Sequence, residues 1–175
     1  MNLFYLDKDA KKCAEYHCDK HVVKMILETA QLLSTTHRVL DGKEYIKLSK
    51  NNRKLTYWKL FDERENILYQ VFGVNHPVSL WIRKCSGNYK FALNLFIELN
   101  NEYEYRYNKI HKSKELLEII SKVPYNISDG EMTSPSLAMP EIYFDDDAVK
   151  SYRNYYKFDK KNILFYTKRS KPDWI

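Results

Sequence analysis

Residues 20–40, KHVVKMILETAQLLSTTHRVL, carry the clearest helical pattern in the chain. Their apolar side chains recur three or four positions apart, which is the spacing of one buried helix face, at Val23, Ile26, Ala30 and Leu33. Asp41 and Gly42 follow and supply a stop signal. This stretch therefore predicts a long amphipathic helix whose apolar stripe faces the core.

Signals on both sides of this stretch predict further helices. Asp7 or Asp9 can cap a helix that starts near residue 9, after a short extended segment. Pro77 suits the first turn of another helix, which Ser-Gly-Asn at 86–88 interrupts. A longer helix is predicted over residues 89–109. Its apolar stripe consists of Ala92, Leu95, Phe96, Leu99 and Tyr103.

The segment 43–75 is ambiguous from sequence. Residues 55–61 and 67–72 are compatible with two strands of a small hairpin or with short helices, and residues 50–53 resemble an exposed loop.

Further along, Ser113 opens a predicted short helix, and residues 123–140 form a loop with three prolines. The acidic run 145–147 starts a last helix, because carboxylates are favourable at a helix N-terminus.

Composition supports the same fold class. The 175 residues include only 4 glycines and 5 prolines, too few for a sandwich or barrel with many tight turns. We therefore expect a mainly α, compact, helical single domain spanning 1–175, with a short N-terminal extended segment. Three cysteines without framework spacing predict free thiols in an intracellular protein, and no apolar run is long enough for a membrane span.

Most of the positive charge lies near the C-terminus. Residues 150–171 contain eight lysines and arginines and one aspartate, so this segment has a net charge of +7 against +6 for the whole chain. Aromatic residues are interleaved with these cations, a combination that suits phosphates and bases. The segment predicts a nucleic-acid partner, with DNA favoured over RNA, although another acidic partner or a solvated terminal helix would fit the same composition.

The densest polar cluster is EYHCDKH at 15–21. If this stretch is helical, His17 and His21 share a face with Lys24 and Glu28. The two histidines have metal-ligand spacing, but the glutamate that a zinc peptidase places between them is absent. No metal or cofactor is assigned, and a histidine-based metal site stays an alternative.

The same helix edge carries amines and carboxylates that could do covalent chemistry. Lys20 and Lys24 lie close to Asp19 and Glu28, so an amine and a stabilising carboxylate are available together. His76 precedes Pro77 at a helix start, a position that suits an anion. The alternative is that all of these groups form ordinary surface ion pairs.

Several blocks occur together: HCDKHVVKMILETAQLLSTTHR, NHPVSLWIRKCSGNY, NEYEYRYNKIHKS, SLAMPEIY, SYRNYYKFDKK and TKRSKPDW. As a set they resemble a family of small proteins of phages and large DNA viruses, over nearly the whole chain. The order of the blocks also resembles the pyrimidine-dimer DNA glycosylases of the endonuclease V type. Those enzymes are all-helical, and they use a terminal α-amine as nucleophile and a carboxylate on the first long helix.

The resemblance implies specific roles here. The nucleophile would be the Met1 amine or Lys20, Asp19 would be the carboxylate, and His17 and His21 would transfer protons or contact phosphate. The side chains expected to grip nucleic acid are His76, Arg83, Arg106, His111, Arg153, Lys157, Lys160, Lys161, Lys168 and Arg169. Asp19 is one residue out of register with the family carboxylate, and Asn2 should hinder removal of Met1.

The leading hypothesis is an enzyme that acts on DNA by glycosylase or lyase chemistry, as in DNA repair, in the cytoplasm of a virus-infected host cell. The alternatives are a non-enzymatic nucleic-acid-binding protein and a metal-dependent or nucleotide-handling enzyme built on histidines.

Overall fold

A computed structural model describes residues 2–175, and its fold is mainly helical, as the sequence predicts. The helices are α1 (Ala10–Glu15), α2 (Asp19–Asp41), α3 (Arg64–Ile67), α4 (Pro77–Lys84), α5 (Ser86–Tyr107), α6 (Leu117–Ile120) and α7 (Ala148–Asp159). Two strands, β1 (Lys43–Leu48) and β2 (Lys54–Lys59), pair in antiparallel fashion between α2 and α3. Short 3₁₀ turns cover Lys112–Leu116, Glu141–Tyr143 and Lys161–Ile163.

Local capping explains where several helices begin. The Asp9 carboxylate accepts a hydrogen bond from the Lys12 amide at 2.8 Å, and the Asp147 carboxylate accepts one from the Val149 amide at 2.7 Å. Pro77 occupies the first turn of α4, as predicted. Each of these starts was readable because a cap depends only on neighbouring residues.

The centre of the molecule is the packing of α2 against α5, with α1 and α4 beside them. The predicted stripe of α5 is buried from Ala92 to Leu99, and Ile26, Ala30 and Leu33 of α2 are fully buried. The prediction for Val23 was wrong, since this side chain is 40% exposed. The neighbouring Val22 is buried instead, so the apolar stripe passes through position 22 at this end of α2.

The predicted interruption at 86–88 was also wrong. The chain breaks at Cys85, which is extended, and α5 begins at the next residue. Gly87 lies inside α5. A glycine is needed at this position because a Cβ would come within 2.4 Å of the Met132 backbone nitrogen. This glycine permits a close approach of two chain segments and does not end a helix.

A hairpin does exist within 43–75, but its strands are 43–48 and 54–59, and the loop expected at 50–53 forms its turn. The stretch proposed as the second strand, 67–72, has no strand structure, and its first residue is the last residue of the short α3. None of the helices in residues 2–175 has both the length and the hydropathy needed to cross a bilayer.

Candidate active site

Asp19, the first residue of α2, binds the C-terminal segment to the helix start. Its carboxylate accepts hydrogen bonds from Arg106 Nη1 at 2.8 Å, from the Thr167 amide at 2.9 Å and from Thr167 Oγ1 at 2.8 Å. Burial opposes ionisation, but the bonds from Thr167 and Arg106 outweigh it and hold the pKa of Asp19 below its usual range. Its oxygens are therefore engaged in structural contacts.

Lys20, the predicted lysine nucleophile, is the next residue along α2 and its side chain is exposed. Met1, the other predicted nucleophile, lies outside the described residues.

His17 precedes α2 and is completely buried, so it does not continue the helix face as expected. Its Nδ1 lies 2.7 Å from the Cys13 carbonyl oxygen, which can only accept, so Nδ1 carries the proton. Within residues 2–175, Nε2 has no hydrogen-bond partner. Burial lowers the pKa of His17 to about 4 and keeps the ring neutral.

His21 lies on α2, stacked on Phe4 with ring centroids 4.5 Å apart. Its Nδ1 is 2.8 Å from the hydroxyl of Tyr156, which also accepts the Cys18 amide at 2.9 Å. Burial, with His17 adding to it, lowers the pKa of His21 to about 3. These rings hold α2, α7 and the N-terminal segment together as a neutral aromatic cluster.

The five histidines are spread over the fold. His37 is buried beside Tyr89, and His76 and His111 cap different helical turns. Among residues 2–175, no group of three or more His, Cys, Asp or Glu side chains is arranged to hold a metal ion.

Several of the predicted nucleic-acid contacts are used inside the protein. Arg106 is buried and donates to Glu102 at 2.6 Å as well as to Asp19. Arg169 makes a two-pronged contact with Glu102 at 3.0 and 2.8 Å. Arg153 donates to the Leu6 carbonyl at 2.8 Å. Arg106 thus joins α5 to the start of α2, Arg169 joins the C-terminal segment to α5, and Arg153 joins α7 to the N-terminal segment.

The remaining predicted contacts differ in exposure. Arg83 donates to the Val74 carbonyl at 2.7 Å, and Lys168 donates to the Tyr105 carbonyl at 2.8 Å. Lys160 pairs with Asp159 at 2.7 Å. Lys157 and Lys161 are exposed. The basic surface of the C-terminal segment is thus smaller than its net charge suggests.

Asp19 also yields a prediction about stability. We expect Asp19→Asn to lower the free energy of unfolding by about 2 kcal/mol, because the buried Arg106 guanidinium loses one of its two carboxylates. Urea unfolding followed by circular dichroism measures this change. Thr167→Val removes only one hydroxyl contact and should have less effect; equal losses would contradict the ion-pair explanation.

A second polar group lies two turns further along α2, at Glu28. This residue is only 9% exposed, and its Oε2 accepts the Asn2 amide at 2.9 Å. Its Oε1 lies 3.2 Å from the Lys24 amine, which is largely exposed. The N-terminal segment, a buried carboxylate and a solvent-accessible amine therefore meet at one place.

His76, at the start of α4, lies near enough to Glu28 for the carboxylate charge to act on its pKa. Its Nδ1 accepts the Val78 amide at 3.3 Å, so the proton lies on Nε2. Burial lowers the pKa of His76, against the opposing charge of Glu28, so the ring is a neutral donor at pH 7. We call Lys24, Glu28 and His76 the Glu28 cluster.

The Glu28 cluster was only partly readable from sequence. Lys24 and Glu28 are four residues apart on the predicted polar face, and this pairing was expected. The approach of Asn2 and His76 to the same carboxylate depends on tertiary packing, for which the sequence holds no local signal.

The Glu28 cluster brings together an amine, a carboxylate and an imidazole. The Lys24 amine lies 3.2 Å from the Glu28 carboxylate, and a lysine amine is a nucleophile for carbonyl carbon once it has lost its proton. His76 Nε2 can donate a hydrogen bond to an anionic group.

Comparison of the chain with family models, with curated proteins and with solved structures finds no match.

Proposed function

We propose that this protein is a nucleic-acid lyase that acts on DNA through an imine intermediate formed at the Glu28 cluster. The observation that carries the proposal is the pairing of the accessible Lys24 amine with the buried Glu28 carboxylate at 3.2 Å. An amine nucleophile and an adjacent carboxylate are also what the resemblance to the dimer glycosylases implies. Glu28 takes that role in place of Asp19, since Glu28 pairs with a lysine whose amine is accessible, whereas Asp19 pairs with the buried Arg106.

The proposed reaction begins at C1′ of an abasic site in its aldehyde form. Glu28 accepts a proton from Lys24 and the amine adds to C1′ to give a carbinolamine. Glu28 then returns this proton to the carbinolamine hydroxyl, which leaves as water as the protonated imine forms, so Glu28 is again a carboxylate. On a nucleotide that keeps its base, the same attack breaks the glycosidic bond and the base leaves with a proton.

Strand cleavage follows from the imine. Glu28 removes a proton from C2′, and the electron pair of that C–H bond expels the 3′ phosphate, whose charge His76 Nε2–H stabilises. Hydrolysis of the remaining imine releases the sugar and returns the Lys24 amine.

The test is borohydride trapping on abasic-site DNA, with the adduct mapped by peptide mass spectrometry. We expect a covalent adduct at Lys24 that Lys24→Met abolishes, and a fall of about 100-fold in cleavage rate for Glu28→Gln, as for loss of a general base. Lys20→Met is the matched control, because Lys20 is an exposed lysine one turn away on the same helix. It should trap as the unaltered protein does.

Other outcomes separate the hypotheses. An adduct mapped to Met1 would keep lyase chemistry and move the nucleophile to the chain start, whereas an adduct at Lys20 would restore the site first expected from sequence. Salt-sensitive binding without any adduct or cleavage would favour the non-enzymatic nucleic-acid-binding protein.

A further inference from the structure

The hairpin β1–β2 exposes both of its faces. All six residues of β1 are exposed, and β2 is exposed except for the half-buried Tyr57 and Trp58. A two-stranded hairpin is marginal by itself. This one is held at its base, where Arg38 donates to the Trp58 carbonyl at 3.1 Å and Leu60 donates to Glu65 at 2.9 Å.

One face of the hairpin is basic and aromatic. The register pairs Lys43 with Lys59, Tyr45 with Tyr57 and Lys47 with Leu55, and these six side chains share a face because strand side chains alternate. No acidic residue is among them. The two tyrosine rings stack at a centroid distance of 5.7 Å with 27° between their planes. We call this surface the ribbon face.

The pairing of Lys43 with Lys59 points to an anionic ligand. Like charges directly opposite each other in an antiparallel pair are destabilising. Both side chains are exposed, and the turn beyond the tyrosines adds Lys50 and Arg53. A bound polyanion would neutralise this repulsion.

We infer that the ribbon face binds single-stranded nucleic acid, with bases stacked on Tyr45 and Tyr57 and phosphates held by the flanking lysines. Sheet-borne aromatic rings bordered by cations bind unpaired strands in this way. The hairpin tip is polar and charged at residues 50–53, which disfavours insertion into a lipid bilayer. This binding site goes beyond the proposed lyase chemistry and does not depend on it.

The experiment measures fluorescence anisotropy of a labelled oligothymidylate of 20 nucleotides over a range of salt concentrations. We expect the triple variant Lys43→Gln/Lys47→Gln/Lys59→Gln to bind at least about tenfold more weakly and to reduce the slope of log K against log salt by about 2, at about 0.7 per phosphate contact. Tyr45→Ala should weaken binding by about tenfold through lost stacking.

The matched control is Lys11→Gln/Lys12→Gln/Lys112→Gln, which removes the same charge from exposed lysines outside the hairpin. If it weakens binding as much as the ribbon-face triple variant does, or if the ribbon-face variant binds normally, the inference is overturned. The inference is also overturned if Tyr45→Ala weakens binding to a duplex as much as it weakens binding to the single strand. Binding of the protein to phosphatidylserine vesicles but not to the oligonucleotide would overturn it as well.

The two proposals fail separately. Lys24→Met should bind the oligonucleotide normally while losing the trapped adduct. If the ribbon-face triple variant loses oligonucleotide binding and no protein forms a trapped adduct, the ribbon face is supported and the lyase proposal is rejected. Circular dichroism and the thermal midpoint check that each variant is folded.

Discussion

Replacing Arg38 with Met is expected to lower the free energy of unfolding by about 3–5 kcal/mol, a large part of the total stability of a domain this size. Arg38 is completely buried. Its guanidinium donates to the carbonyls of Tyr69 at 2.7 Å, Trp58 at 3.1 Å and Leu68 at 2.9 Å. It also pairs with Glu65 at 2.6 Å. Without it, the three carbonyl oxygens lose the donor that this buried side chain gives them, and Glu65 loses its cation.

Urea unfolding followed by circular dichroism measures the Arg38 effect. Arg38→Lys should recover only part of the loss, because an ammonium lacks the planar fork that serves several carbonyls at once. Arg53→Met is the matched control, since Arg53 is exposed at the hairpin turn and its loss should change stability by less than about 0.5 kcal/mol. A loss below 1 kcal/mol for Arg38→Met would show that water replaces the guanidinium.

The second large effect expected is loss of stability in mild acid. Burial lowers the pKa to about 4 for His17 and His37 and to about 3 for His21, against 6.5 in the unfolded chain. As pH falls below 6.5, the unfolded chain binds protons that the folded protein does not, so stability falls. The contribution is complete above pH 6.5 and is lost progressively between pH 6.5 and about 3. At pH 5 the stability already lost amounts to about 2 kcal/mol per histidine.

The measurement is the urea midpoint at pH 7, 6 and 5. His37→Gln should reduce the pH dependence by about a third, because one of three buried neutral rings is removed. His111→Gln is the control, since His111 is only half-buried and caps a surface turn. A midpoint that does not change between pH 7 and pH 5 would contradict the neutral, buried state of these rings.

Local signals were sufficient to predict most helices. Asp9, Pro77 and Asp147 act on amides or backbone angles within a few residues, so the starts of α1, α4 and α7 could be read directly. The burial of α2 and α5 followed from periodicity. Gly87 was misassigned because its environment is set by a segment distant in sequence, the loop near residue 130, and periodicity alone did not separate Val23 from the buried Val22.

The candidate site was less predictable than the fold. Its sequence signal lay in one polar stretch, residues 15–28, where amines, imidazoles and carboxylates alternate. Which of them face solvent depends on partners far along the chain. The Tyr156 hydroxyl hydrogen-bonds to His21, and the Thr167 hydroxyl donates a hydrogen bond to Asp19. The ribbon face went unnoticed because the strand register that gathers its lysines was not known from sequence.

The Tyr156 hydroxyl also bears on how this protein is made. It accepts the Cys18 amide across 138 residues of chain, at the very start of α2. At about 5–20 residues per second, a ribosome needs roughly seven to twenty-eight seconds to reach Tyr156 after it has passed Cys18. Throughout that interval His21 and Phe4 lack the ring that covers them. The nascent N-terminal half therefore leaves the ribosome with its aromatic cluster open, and the last helix to be synthesised closes it.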